Sequence, residues 1–124
     1  MSLAIAVSGW AAIDLEPILR GEQATPPPSV FERDDGVRLF YAACINALYG
    51  ESESLKSWIV AVITAQLLTV DRHVVWVDFE DGPETLIERL RALGVQPEQI
   101  RANLTYINPT GPLDELARRW FKRR

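Results

Sequence analysis

The run C-I-N-A-L-Y-G-E-S-E-S-L-K-S-W at 44–58, continued by an apolar stretch to Val70, constrains this chain more than any other feature. It predicts a buried strand over 45–48 with Cys44 packed in it, then a short polar turn opened by Gly50. A helix follows, beginning at Lys56 and Ser57. Strand, loop, Lys-Ser and helix is the order in which a phosphate-binding loop is built. The pattern G-x-x-x-x-G-K-[ST] is met at Gly50, Lys56 and Ser57 and departs at Leu55, where the second glycine belongs.

The chemistry of such a loop is simple. A helix N-terminus leaves about four backbone N–H groups unpaired and carries roughly half a positive charge, so an anion seats there readily. Lys56 adds a full charge able to reach outer phosphates, and the Ser57 hydroxyl suits the oxygen shell of magnesium. Gly50 is expected to let the chain leave the strand with an unusual backbone angle. Leu55 carries a Cβ; a left-handed conformation there costs on the order of 1–2 kcal/mol. Glu51 and Glu53 set negative charge beside a polyanion, while Ser52 and Ser54 stand where small residues suffice. The alternative is an ordinary helix capped by Ser52 or Ser54, with Lys56 solvated.

A chain of 124 residues suits one domain, and 48% hydrophobic with 24% charged residues is ordinary folded material. The formal charge of −4 gives no overall attraction to nucleic acid, so contact with it must be local. The single cysteine excludes an intrachain disulfide and fits a reducing compartment. A lone histidine, His73, argues against zinc. Residues 1–12 lack the basic start of a leader, and the longest apolar run is too short to span a bilayer. A cytoplasmic location without membrane contact is expected.

Along the chain, 14–19 predicts a short helix with Trp10 as an apolar anchor. Residues 1–30 read as an extension and proline-rich linker, because three consecutive prolines favour an extended chain. Residues 31–124 read as the folded domain. Asp34, Asp35 and Gly36 predict a turn, and 37–41 a short strand pairing with 45–48. The helix over 55–70 is apolar nearly all round and is expected to be covered on more than one side. The run H-V-V-W-V-D-F at 73–79 predicts a parallel strand buried on both faces. Pro83 and Glu84 open a helix that Gly94 stops. One helical turn is expected at 97–101 and a strand at 104–108. A last helix, 113–123, is acidic at its start and basic at its end: Arg118, Arg119, Lys122, Arg123 and Arg124 lie beside Trp120 and Phe121. That cluster is a candidate contact for a DNA backbone, or a solvated helix end.

Strands alternating with helices imply an α/β layer fold with ligands at the carboxyl ends of the strands. Both 50–57 and 78–81 are expected on that rim, making Glu80 a candidate to orient a water and Asp78 a candidate to hold a metal through water.

From Gly36 to Leu113 the chain resembles the RecA-like ATPase domains of phage and plasmid replication proteins, the group of replicative helicases and primase-associated ATPases. The resemblance rests on L-Y-G-E-S-E-S-L-K-S-W, then H-V-V-W-V-D-F-E-D with E-R-L-R-A-L-G-V, then N-L-T-Y-I-N-P. It implies a three-layer α/β P-loop NTPase fold of the RecA-like type, with an incomplete parallel sheet. It also implies that ATP binds with Mg2+ at the first motif, the Walker A position: Gly50, Glu51, Ser52, Glu53, Ser54, Leu55, Lys56, Ser57 and Trp58. Lys56 would then hold the outer phosphates, Ser57 the magnesium, and Glu80 the hydrolytic water. The family's later strand, whose aspartate holds the magnesium shell, has no counterpart before Arg124. Hydrolysis by this chain alone is therefore expected to be weak or absent. A fragment, a rearranged sheet or a homo-oligomer is expected, and a non-catalytic relative serving assembly or regulation is the alternative.

Overall fold

The computed structural model describes residues 12–52, 54–80 and 82–123. Trp10, Glu53 and Arg124, named above, and Asp81 at the end of the expected rim lie outside the described residues. Those described form a small mixed α/β structure with five helices and two short two-stranded sheets. In chain order these are α1 (Glu16–Leu19), β1 (Val30–Glu32), β2 (Arg38–Phe40), α2 (Lys56–Thr69) and β3 (Val74–Val77). They continue with α3 (Pro83–Ala92), α4 (Pro97–Asn103), β4 (Leu104–Ile107) and α5 (Glu115–Lys122).

Strands β3 and β4 are parallel, with Val74 opposite Leu104 and Trp76 opposite Tyr106. Side chains alternate along a strand, so these four residues share one face. That face packs on Ala61, Ala65 and Leu68 of α2, Leu86 and Leu90 of α3, and Val95. Leu68 and Leu90 are fully buried. The opposite face carries Val75 and Val77, and Val77 is 42% exposed. The expectation of a strand covered on both faces is thus corrected: the run V-V-W-V is apolar throughout, but only its even-numbered members enter the core.

Local chemistry explains the helix ends. Helix α3 starts at Pro83, whose missing N–H costs nothing at a first helical position. It closes through Gly94 in a left-handed conformation at φ 86°, with Gly94 N donating to Arg91 O and Val95 N to Leu90 O, both at 3.0 Å. This is a Schellman closure, and its customary apolar contact is made by Val95 returning to the core beside Leu90. In α5 the Asp114 carboxylate accepts from Ala117 N at 2.8 Å, a regular N-cap. The helix over 55–70 is found almost as expected, as Lys56–Thr69, and the single turn expected at 97–101 extends to Asn103.

The greatest departure is at 41–50. The predicted strand over 45–48 is absent: these residues have no strand partner, and Ile45 and Tyr49 are fully or nearly fully exposed. Cys44 is exposed rather than packed. Asn46 explains part of this. Its side chain accepts from Tyr41 N at 3.1 Å and donates to Tyr41 O at 2.8 Å and Cys44 O at 3.1 Å, closing a local turn that competes with strand pairing. Strand β2 pairs instead with β1, antiparallel, Val30 opposite Phe40 and Glu32 opposite Arg38. The intervening turn uses Gly36 at φ 78°. This hairpin is held to α2 by Gln66, whose amide accepts from Glu32 N at 3.0 Å and donates to Glu32 O at 2.8 Å.

Leu90 joins α3 to both α2 and the sheet, so its truncation tests the core directly. Leu90→Ala is expected to cost about 2–5 kcal/mol, read from the midpoint and slope of urea unfolding.

Candidate functional site: the loop before helix α2

The loop from Gly50 to Leu55 is organised by one side chain. Lys56 Nζ turns back and donates to Gly50 O at 2.6 Å, to Glu51 O, and to Ser54 Oγ at 3.0 Å. An ammonium group with three donors fills all of them inside its own loop. The serine-capped alternative is not realised. The N-cap residue is Leu55, no side chain caps the helix, and Ser54 Oγ faces Lys56. The first helical bond of α2 runs from Ile59 N to Leu55 O at 3.1 Å. The amides of residues 56–58 therefore precede the hydrogen-bonded ladder, as at any helix start.

Leu55 has φ 62° and ψ 15°, the left-handed region. The glycine that the pattern expects at this position would meet no steric penalty there, whereas leucine pays on the order of 1–2 kcal/mol. Gly50, by contrast, has no positive φ, so the unusual angle expected at Gly50 occurs five residues later. What Gly50 supplies is space. A Cβ there would stand 2.6 Å from Ser54 Oγ and 3.5 Å from Lys56 Cδ.

The second stretch of the expected rim reaches the same place. Ser57 of α2 and Asp78, Phe79 and Glu80 after β3 line one groove of about 540 Å3. Glu80 is exposed in it. Asp78 is committed to structure: its Oδ2 accepts from Tyr106 Oη at 3.0 Å and its Oδ1 from Glu80 N at 3.0 Å. Its backbone is also held, with Asp78 N donating to Ile107 O and Asn108 Nδ2 to Asp78 O, both at 2.9 Å. Asp78 thus fixes the strand end that presents Glu80.

Arg89 of α3 escaped the sequence reading. It lines both this groove and a smaller cleft of about 330 Å3 formed by residues 54–58. Its guanidinium lies 5.2 Å from the ring centroid of Trp58, a cation–π contact. The spacing from Pro83 gave a signal for the buried face of α3 but none for a cation returning to the mouth of α2. Trp58 keeps 37% of its surface exposed under Arg89, and Glu51, Ser52, Ser54 and Ser57 are exposed around it.

The donor set fits a phosphate group better than a bare metal. Among the described residues there is no cluster of three metal-ligating side chains. Ser57 alone suits a magnesium ion whose other ligands are phosphate oxygens and water, the usual partition for Mg2+. Among the described residues no helix is long and apolar enough to cross a membrane. No protein-family model, curated protein or solved structure matches the chain.

The backbone at Leu55 makes a direct prediction. Leu55 is 65% exposed, so Leu55→Gly removes little buried surface while relieving the left-handed strain. Glycine inside a helix ordinarily destabilises; here the variant is expected to be as stable as the parent or up to about 1 kcal/mol more stable. Thermal unfolding followed by circular dichroism checks it, and a clear loss of stability contradicts the strain.

Proposed function

We propose that the chain is an ATP-binding module of the kind found in phage-type DNA replication ATPases, weak or inactive in hydrolysis by itself. The observation that carries this reading is the loop geometry. Leu55 holds a left-handed backbone at the position of the motif's second glycine, and Lys56 Nζ is gathered against Gly50 O and Ser54 Oγ. An arriving triphosphate would replace those oxygens as the lysine's partners, exchanging neutral acceptors for charged ones, which make stronger bonds. Arg89 would add a second positive charge beside the cleft, and the free amides of 56–58 would complete the seat.

On this reading the fold is the RecA-like P-loop type with part of its parallel sheet represented. Ser57 would hold Mg2+ together with phosphate oxygens, the ion supplying charge neutralisation. Glu80, exposed in the same groove as Ser57, is the carboxylate able to orient a water. Phosphoryl transfer depends on complete positioning and charge stabilisation, so a site with one carboxylate and one in-chain arginine is expected to bind better than it turns over. The alternative, a degenerate loop kept for assembly, differs in having no nucleotide affinity.

Calorimetric titration with ATP and magnesium separates them. The parent is expected to bind, and Lys56→Ala to bind at least about tenfold more weakly, roughly 1.4 kcal/mol, with unchanged circular dichroism. Equal affinity in both proteins, or none in either, removes the nucleotide reading.

A second partner is favoured by α5. Arg118, Arg119 and Lys122 line one side of this helix, while Trp120 and Phe121 stack edge to face at 5.0 Å on another. Basic and aromatic groups side by side suit DNA. Replacing Arg118 and Lys122 together by alanine is expected to lower the salt slope of DNA binding by roughly 1.4–1.8, measured by fluorescence anisotropy across a salt series. A binding curve insensitive to salt excludes the contact.

A further inference from the structure

Arg89 has a position that its own helix does not explain. A cation in the last turn of α3 complements the helix dipole, but Arg91 occupies the same turn and meets that need. Arg89 lies three residues after the buried Leu86, on the side of α3 that packs on α2. Among the described residues no carboxylate pairs with its guanidinium. That group rests instead on the ring of Trp58, 5.2 Å from its centroid.

Two cavities meet at this point: the cleft of about 330 Å3 formed by residues 54–58, and the groove of about 540 Å3 that holds Glu80. Among the described residues, Ser57 and Arg89 alone line both. Ser57 is fixed in the first turn of α2. The Arg89 side chain is long and is held by the single contact with Trp58, so it is the movable part of the wall. A cation–π contact on a part-exposed ring is weaker than a two-pronged guanidinium–phosphate pair. A phosphate group at the junction therefore offers Arg89 a better partner than the indole.

We propose that Arg89 reads the outermost phosphate of a bound nucleotide, so that the site takes a nucleoside triphosphate in preference to the diphosphate. This rests on the nucleotide reading above and adds the group that tells the two ligands apart. With the triphosphate bound, the outermost phosphoryl group lies where the cavities join, between Lys56 and Glu80. Arg89 leaves Trp58 and pairs with it. A diphosphate ends within the cleft, short of the junction, and Arg89 stays on the ring. Trp58 thus loses its cation with one ligand and keeps it with the other.

Calorimetric titrations with magnesium–ATP and magnesium–ADP give the first measurement. The parent is expected to favour ATP by at least about tenfold, the gain from a charge-assisted pair. Arg89→Met keeps an unbranched side chain and removes the charge. It is expected to weaken ATP binding about tenfold and to leave ADP binding within about twofold, abolishing the preference. An arginine needed only for folding would affect both ligands alike, so the ratio of the two affinities decides. Fluorescence gives a second measurement that leaves Arg89 in place. The signal of Trp58 is the parent's change in emission minus that of Trp58→Phe; it is expected to respond to ATP and not to ADP. Equal affinity of the parent for both nucleotides, a preference kept by Arg89→Met, or a Trp58 signal alike for both overturns the inference. Where ATP binds the parent and depends on Lys56, such a result leaves the nucleotide reading standing and removes only the role of Arg89. Where neither nucleotide binds, both fall.

Discussion

The packing of α2 against α3 and one face of the β3–β4 pair carries the structure. Leu68 and Leu90 are fully buried, and around them gather Ala61, Ala65, Leu86 and Val95. The small residues of α2 let it approach closely, and Leu68 contributes the bulk. The elements of the candidate loop site are attached to this seam. The mouth of α2 carries the loop, α3 carries Arg89 to the same mouth, and β3 ends at Asp78 beside it. Burying a large aliphatic side chain contributes about 1.5–3 kcal/mol, so a few such residues hold the site's elements in register.

From that seam the local polar chemistry follows. Asp78 is where the sheet and the rim meet: its carboxylate and backbone take bonds from Tyr106, Glu80 and Asn108 and give one to Ile107. A carboxylate so engaged positions its neighbours. Lys56 plays the matching part on the other side, drawing the loop around its own ammonium. The ion pairs among the described residues, such as Arg38 with Glu32 at 2.8 Å, lie between side chains that are half-exposed or more and contribute about 0–1 kcal/mol each. They decorate the hairpin; Gln66 holds it.

The apolar character of α2 has two consequences. A helix hydrophobic nearly all round needs cover on several sides. The core covers Ala61, Ala65 and Leu68, the hairpin reaches Gln66, and the groove along β3 leaves Val60, Ile63 and Leu67 as a wall. That wall runs on to Ser57, Glu80 and Arg89 in the same groove, so the helix that carries the loop also lines the space beside it.

How much of this was legible in the sequence differs from element to element. Periodicity and capping residues placed α2, α3 and β4 nearly to their ends, because Pro83, Gly94 and the apolar spacing act locally and tertiary packing had nothing to overrule. The left-handed cost at Leu55 was likewise readable, since it depends on one residue's backbone and its Cβ. The segment 45–48 failed for the complementary reason: apolar composition suits a strand, but a strand exists only with a partner, and Asn46 closed a turn first. The burial of one face of β3, the return of Lys56 onto its loop, and the arrival of Arg89 over Trp58 depend on what the folded chain brings within reach. Only the packing of α2 on α3 and the sheet decided them, because a side chain's charge and length are written in the sequence, while the groups it will meet are not.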